Sequence, residues 1–258
     1  MKNALTIAGK ELAQFFVQPV AYVVMTVFLL LGGFFFFELL SYFQIILQMY
    51  SAAQNPQLLA HLNLNDRVIE PLLHNLSIVL VILVPAVTMR TFAEEKRVGT
   101  YELLLTAPIR TGEIVAGKFI AASAFLLIMI GLAGIFPLIL VGFGNPEIGV
   151  MVSGYLGLAL LAISFAAIGL FTSSITQNQI VAAIAGFGSL LLLFVISWPA
   201  QTGAGGWSAG FLRYLSITDH FSQMVIGIID TKDLVYFLSL IFVALFLTQR
   251  AVESARWR

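Results

Sequence analysis

The sequence contains no cysteine and few charged residues. Of 258 residues, 10% are charged and 60% are apolar or aromatic, whereas a soluble domain carries about 25% charged residues. So few charges cannot cover a soluble globule of this size, which argues against a soluble enzyme. The absence of cysteine excludes a disulfide-stabilised scaffold, and a net charge of zero favours neither nucleic acid nor an acidic substrate as a partner. A polytopic membrane protein remains.

Long apolar stretches support this class. A membrane-crossing helix needs about 20 mostly apolar residues, and the chain has six stretches near that length. They are residues 20–37, which continue past Glu38 toward Leu47, then 72–89, 119–143, 148–171, 180–198 and 234–249. The sequence therefore predicts an all-α polytopic membrane protein with about six transmembrane helices, and a single domain over residues 1–258.

Basic residues indicate the orientation, because those near the ends of spans remain in the cytoplasm. With the N-terminus inside, the cytoplasmic side holds ten of them: Lys2, Lys10, Arg90, Lys96, Arg97, Arg110, Lys118, Arg250, Arg256 and Arg258. The outside holds three: Arg67, Arg213 and Lys232. An even number of spans then places both termini in the cytoplasm.

Two segments flank the spans. Residues 1–19 precede the first span, and Leu5, Ala8, Leu12, Phe15 and Phe16 share one helical face before Pro19 breaks the helix. We expect residues 3–18 to form a helix in the cytoplasmic headgroup layer, and the alternative is a plain extension of the first span. Residues 200–231 form an external segment, in which we expect short helices on the outer leaflet.

Catalytic and metal-binding patterns are missing from the sequence. The histidines His61, His74 and His220 have no partner at metal-ligand spacing, and there is no cysteine nucleophile or GxSxG motif. Residues 112–118 read GxxxxGK, but Phe119 stands where a phosphate-binding loop needs Ser or Thr. A helix leading into the third span is the favoured interpretation. We expect neither a catalytic nor a metal site, nor a cofactor, in this chain.

Ionisable residues are also rare inside the spans. Glu38 is the exception, near the outer end of the first span. We expect its carboxylate to reach the headgroups, and the alternative is that it lines an external opening. Because ion-driven carriers place ionisable groups at mid-membrane, any transport by this chain needs a partner that supplies the energy.

The internal loop 90–118 carries the densest charge. Thr91 and Glu94 match a capping box, and Gly99 can end that helix in a left-handed conformation. A second short helix follows at 101–105, with Thr100 as its expected cap, and Thr111 is expected to cap the helix of the third span. The charges alternate in sign, and leucines at 103–105 need a surface to bury against. These features favour a docking element over a solvated charge run.

Residues 94–109, EEKRVGTYELLLTAPI, resemble the cytoplasmic loop of ABC-2-type transporter permeases, the membrane subunits of ATP-driven exporters. The C-terminal part is also similar to them, at TDHF (218–221), GIID (227–230) and DLVYF (233–237). The gliding-motility-associated permeases are the subgroup that it resembles most. The resemblance implies a bacterial cytoplasmic (inner) membrane protein.

In that family, two permease subunits, identical or homologous, rest on separate ATPase subunits that bind ATP and magnesium. The resemblance implies that the glutamates of the loop meet basic groups of the ATPase, while its leucines supply buried contact. The implied coupling residues are Glu94, Glu95, Lys96, Arg97, Gly99, Thr100, Glu102, Leu103, Leu104 and Pro108. Small residues within the spans (Ala162, Ala166, Gly169, Ala182 and Gly186) indicate close helix packing rather than a pore.

Three functions remain in competition. The first is the permease subunit of an ABC exporter, which couples ATP hydrolysis in a separate subunit to substrate movement and is not itself an enzyme. The alternative is a non-transporting anchor that couples an ATPase to envelope or motility machinery. The third is a self-contained carrier or intramembrane enzyme, and the lack of mid-membrane charges and nucleophiles argues against it.

Overall fold

The computed structural model describes residues 2–52, 62–101, 109–196 and 207–255, which contain α-helices and no strand. The all-α prediction is confirmed. A π-helical turn, Asn65–Ile69, precedes α3. The α-helices are α1 (Lys2–Val17), α2 (Pro19–Ala52), α3 (Glu70–Thr88), α4 (Arg90–Val98), α5 (Thr111–Ala133), α6 (Ile135–Phe143), α7 (Ile148–Ile175), α8 (Gln179–Val195), α9 (Trp207–Leu215), α10 (Ile217–Val225) and α11 (Thr231–Ala255).

Five helical segments of the described residues are long and apolar enough to cross a membrane: Pro19–Ala52, Asn65–Val98, Thr111–Phe143, Ile148–Ile175 and Thr231–Ser254. The predicted fifth span corresponds to α8, which has 17 residues and is about 26 Å long. It begins close to the end of α7, and its Phe194 carbonyl accepts a hydrogen bond from Thr218 of α10. Helix α8 therefore also runs from one end of the bundle to the other.

The two ends of the bundle bring together different elements. At one end, Asn3 of α1 donates to Glu113 of α5 at 3.1 Å, and the Tyr101 hydroxyl lies 3.5 Å from the Val252 carbonyl of α11. We call this the N-terminal end. At the opposite end, Ser153 of α7 donates to the Met224 carbonyl of α10 at 2.8 Å. The N-terminus of α1 and the C-terminus of α11 therefore lie at the same end of the bundle, as an even number of membrane traversals requires.

Helix α7 lies at the centre and packs through small residues. A Cβ atom on Gly169 would overlap the Thr88 hydroxyl oxygen of α3, and one on Gly186 of α8 would lie 3.2 Å from that of Thr172. Ala162 and Ala166 are fully buried. The prediction that these small residues mark close helix packing is confirmed, because backbones approach this closely only where side chains are short.

The N-terminal helix is confirmed, and Pro19 begins the next helix. Most of its predicted face is packed against the core, namely Ala8, Leu12, Phe15 and Phe16, whereas Leu5 is 62% exposed and Ala4 is buried instead. Small residues face α5 because the two helices are in close contact there: a Cβ atom on Gly117 would lie 2.8 Å from Ile7. Helix α1 is thus part of the packed bundle, and its place in the headgroup layer stays a prediction.

Two boundaries differ from the sequence prediction. The third span is interrupted at Gly134, whose amide is shared between the carbonyls of Ile130 and Gly131, so it consists of α5 and α6. The last helix begins three residues before the predicted span 234–249 and ends six residues after it. Its polar C-terminal turns remain helical because they pack at the N-terminal end, where Val252 is fully buried.

Candidate functional site

Helix α4 follows α3 with only Met89 between them. Thr91 lies inside α4, and its hydroxyl donates to the Thr88 carbonyl at 2.8 Å. The predicted capping box of Thr91 and Glu94 is therefore wrong. A capping box needs a helix that begins with free backbone amides. Here the chain enters α4 directly from α3, and Met89 between the two helices has a right-handed helical conformation.

Ser173 of α7 performs the capping instead. Its hydroxyl oxygen accepts hydrogen bonds from the amides of Phe92 at 3.1 Å and Ala93 at 3.2 Å, and it donates to the Met89 carbonyl at 2.9 Å. One hydroxyl group thus satisfies three backbone groups where α3 and α4 meet. Phe92, Ala93 and Ser173 are fully buried, so the junction is held at a defined place against α7.

Lys96 ties the other side of α4 to the same helix. Its ammonium group donates to the carbonyl of Ser174, close to the C-terminus of α7, where the helix dipole favours a cation. The ammonium also lies 5.1 Å from the ring centroid of Tyr101. Burial raises the pKa of Tyr101 to about 12, so its hydroxyl stays protonated at neutral pH and can donate to the Val252 carbonyl.

Lys118 of α5 connects three helices through its ammonium group. It donates to Glu95 of α4 at 2.7 Å, to Glu11 of α1 at 3.0 Å and to the Thr91 carbonyl at 2.8 Å. Its side chain is 1% exposed, and Phe92 lies beneath it with the ring centroid 5.2 Å away. All three ammonium protons have an acceptor, which is the condition for a stable buried lysine.

This ion-pair cluster of Glu11, Glu95 and Lys118 changes the interpretation of Glu95. One carboxylate oxygen of Glu95 is bound to Lys118, and the other is buried with no hydrogen-bond partner among the described residues. Two carboxylates share the Lys118 ammonium, so this cation of α5 holds the cluster together. Glu95 therefore serves packing inside the chain, a role that its charge alone did not indicate.

The exposed part of α4 is its C-terminal tip, which we define as Arg97, Val98, Gly99 and Thr100. Gly99 adopts φ +80 and ends the helix in the left-handed conformation, as predicted. Val98 is 62% exposed, and Glu94 is half-buried. The other predicted coupling residues (Glu102, Leu103, Leu104 and Pro108) and most of the predicted helix 101–105 lie outside the described residues.

The GxxxxGK segment, residues 112–118, is helical and forms the start of α5. The residue that caps the helix is Arg110. The predicted cap, Thr111, was wrong by one residue. The Arg110 amide donates to the Glu113 carboxylate at 3.4 Å, an interaction that the pattern of hydroxyl-bearing residues did not reveal. Lys118 points to the two carboxylates, which confirms the interpretation as a helix leading into the third span.

A second polar cluster lies at the opposite end of the bundle. The His220 Nδ1 atom of α10 is 2.6 Å from the Asp233 carboxylate of α11, which is fully buried. The His220 ring stacks on Tyr236 with centroids 4.0 Å apart, and its Nε2 atom lies 3.0 Å from the Tyr214 carbonyl. Because a carbonyl only accepts, the hydrogen bond at Nε2 is donated by the histidine.

Sequence reasoning treated His220 as isolated and so missed this cluster. A turn between α10 and α11 brings Asp233 back onto the histidine, with Gly227 at φ +93 in it. The available signal was that both residues belong to the C-terminal pattern described above. Among the described residues, no group of three or more His, Cys, Asp or Glu side chains is placed to hold a metal ion.

Comparison with known proteins identifies the family of this helical membrane bundle. No curated protein matches the sequence. A family model, described as ABC-2 family transporter protein, matches residues 5–251. That match runs from α1 to α11 and includes the whole candidate site. The chain therefore belongs to the ABC-2 transporter family and is a permease subunit of an ABC transporter.

Proposed function

We propose that the chain works with a separate ATPase subunit and exports its substrate, with α4 as the coupling helix between the two subunits. The observation that carries this proposal is the set of contacts that attach α4 to the other helices. Helix α4 is continuous with α3, fastened to α7 by Ser173 and Lys96, and fastened to α5 and α1 by Lys118. A push on such a helix moves several spans together, because packed interfaces transmit displacement as rigid bodies.

The tip of α4 is the proposed contact with the ATPase. Its apolar Val98 and cationic Arg97 are exposed, whereas Glu95 and Lys96 are engaged within the chain. We also propose that the leucines at 103 and 104, which lie outside the described residues, contribute to this contact. ATP and magnesium belong to the partner subunit in this proposal, and the present chain contributes no catalytic residue.

The proposed location is the bacterial inner membrane, with the N-terminal end of the bundle in the cytoplasm. Six basic residues of α4, α5, α11 and their flanks lie there: Arg90, Lys96, Arg97, Arg110, Lys118 and Arg250. This asymmetry supports the orientation. A second permease subunit, identical or homologous, completes the proposed transporter.

Membership of the gliding-motility-associated subgroup is part of the proposal and rests on the C-terminal pattern. Of the residues in that pattern, His220, Asp233 and Tyr236 form the buried cluster that joins α10 to α11. Such residues maintain the fold of this end of the bundle. The pattern therefore supports a shared architecture and leaves the cargo open.

The proposal is tested by purifying the tagged chain from its native membrane and identifying bound proteins by mass spectrometry. We expect a Walker-motif ATPase to co-purify with the native sequence and with Arg250→Glu, and to be lost with Arg97→Glu. Arg250 is a matched control because its side chain is 65% exposed at the same end of the bundle but lies on α11. ATPase retained by Arg97→Glu would refute the docking surface, and no ATPase with the native sequence would refute the coupled transporter.

A further inference from the structure

A cavity of 640 Å³ opens between α2 and α3. It is lined by one face of α2, from Phe35 to Ile45, and by Asn75 of α3. We call it the α2 groove. Its volume lies within the range of small-molecule binding sites, about 300–1,000 Å³. The cluster around Lys118 and the tip of α4 are both at the other end of α2, so the groove is separate from the candidate coupling site.

With Pro19 placed at the cytoplasmic boundary of the hydrocarbon core, the length of α2 puts the groove at the opposite boundary. From Pro19, at the start of α2, to Glu38 the helix rises about 29 Å, which is close to the thickness of the hydrocarbon core, about 30 Å. The lining from Phe35 to Ile45 then covers about 15 Å along the helix axis. The groove therefore extends from the hydrocarbon region into the headgroup layer, and Glu38 stands at the boundary.

Charge in the groove is of one sign. Glu38 is exposed into it, no basic side chain pairs with Glu38 among the described residues, and none lines the cavity. A carboxylate at this depth is costly unless it reaches water or a cation. The Ser41 hydroxyl donates to the Phe37 carbonyl at 2.8 Å, so it presents acceptor lone pairs to the groove.

Aromatic rings complete this environment. Phe35 and Tyr42 line the groove on either side of Glu38 along the helix, and the faces of such rings attract cations, most strongly ammonium groups. Leu39 and Ile45 add apolar surface for a hydrocarbon chain. Carboxylate, hydroxyl oxygen and ring faces all favour a positive headgroup, and the apolar lining favours a tail attached to it.

We propose that the α2 groove binds a cationic amphiphile, with its ammonium group at Glu38 and its apolar chain along Phe35 and Leu39. Zwitterionic lipids are disfavoured because their phosphate would lie beside the carboxylate with no lining cation to balance it. Binding needs only this chain. Identifying the amphiphile as transported cargo rests on the proposed function, which makes the two claims separable by experiment.

The test measures equilibrium binding of radiolabelled dodecyltrimethylammonium to the purified chain in dodecyl maltoside micelles, with empty micelles subtracted. We expect saturable binding that is weakened about tenfold in Glu38→Gln, since a charge-assisted contact is lost. The control Glu147→Gln removes an exposed glutamate at the same end of the bundle and should bind as the native chain does. Glu38→Asp keeps the charge and should retain most of the affinity.

Several results would overturn the assignment. Equal binding by folded Glu38→Gln would exclude the carboxylate as the site, and displacement by phosphatidylethanolamine at equal concentration would identify a lipid headgroup as the occupant. If Glu38→Gln does not fold, the native chain still decides, because binding of dodecyl sulfate as strong as that of the cation would refute a cationic site. Failure to recover an ATPase would contradict the proposed function while leaving this binding result intact.

Discussion

The Lys118 ammonium of α5 lies 2.7 Å from the Glu95 carboxylate of α4, with Lys118 almost fully buried. The two residues lie 23 positions apart, and the tip of α4, which is the proposed ATPase contact, lies between them in the sequence. The pair therefore joins α4 to α5 close to that contact. A displacement of α4 relative to α5 has to break this ion pair. If the pair stays intact, the two helices move together.

Replacing Lys118 with methionine should destabilise the chain by about 3 kcal/mol, because Glu95 and Glu11 are left without their shared cation. Thermal unfolding of the purified protein in detergent, followed by circular dichroism, measures this. Lys232→Met is the control, since that lysine is 59% exposed in a surface pair and should unfold like the native protein. An unchanged unfolding temperature for Lys118→Met would show that the cluster contributes nothing to stability.

Ser173→Ala should cost about 2 kcal/mol, since the amides of Phe92 and Ala93 lose their acceptor. The matched control is Ser164→Ala on the same helix. Ser164 is also buried, but its hydroxyl donates only to the Leu160 carbonyl one turn earlier. Hydrogen exchange at Phe92 and Ala93 should accelerate only in Ser173→Ala, and equal exchange in both variants would contradict the bridging role.

Gly169→Ala should separate α3 from α7, because its Cβ would overlap the Thr88 side chain. We expect a loss of about 1–3 kcal/mol in unfolding free energy. Gly149→Ala, on the same helix with open space around it, should be neutral or stabilising by up to about 1 kcal/mol. The difference between their thermal unfolding midpoints checks this, and equal midpoints would disprove the close packing.

At the opposite end, Asp233→Ala should destabilise more than Asp233→Asn. A neutral His220 keeps its Nε2 proton for the Tyr214 carbonyl, so its Nδ1 atom can accept from an asparagine amide, whereas alanine leaves it unpaired. We expect a loss of about 2 kcal/mol for the alanine variant, measured by thermal unfolding. Equal losses in both variants would mean that packing rather than the hydrogen bond matters at this position.

Reporter fusions test the orientation. A reporter active only in the cytoplasm should give signal when fused after Arg258, whereas one active only outside the cytoplasm should give signal when inserted at Glu147, between α6 and α7. The reason is that α11 ends at the N-terminal end of the bundle and Glu147 lies at the opposite end. The reverse pattern would invert the proposed orientation.

Much of the architecture could be read from the sequence. Apolar stretches of near-membrane length predicted the helices, and Pro19 and Gly99 marked boundaries correctly, since a fixed φ and a left-handed turn are local properties of those residues. The caps at Thr91 and Thr111 were predicted wrongly. Capping depends on which groups compete for the free amides, and at α4 the competitor is Ser173, far away in the sequence.

The predicted coupling residues show the same distinction between what the local sequence determines and what it does not. Composition and apolar stretches by themselves determined a helical membrane protein, because water and lipid select for polarity along the chain. Charge asymmetry and the charged loop predicted an internal docking element. Only the tertiary structure decided that Glu95 and Lys96 face inward while Arg97 and Val98 face outward, and that His220 meets Asp233. Those pairings arise from helices that are distant in sequence and adjacent in space, and no local pattern encodes such distances.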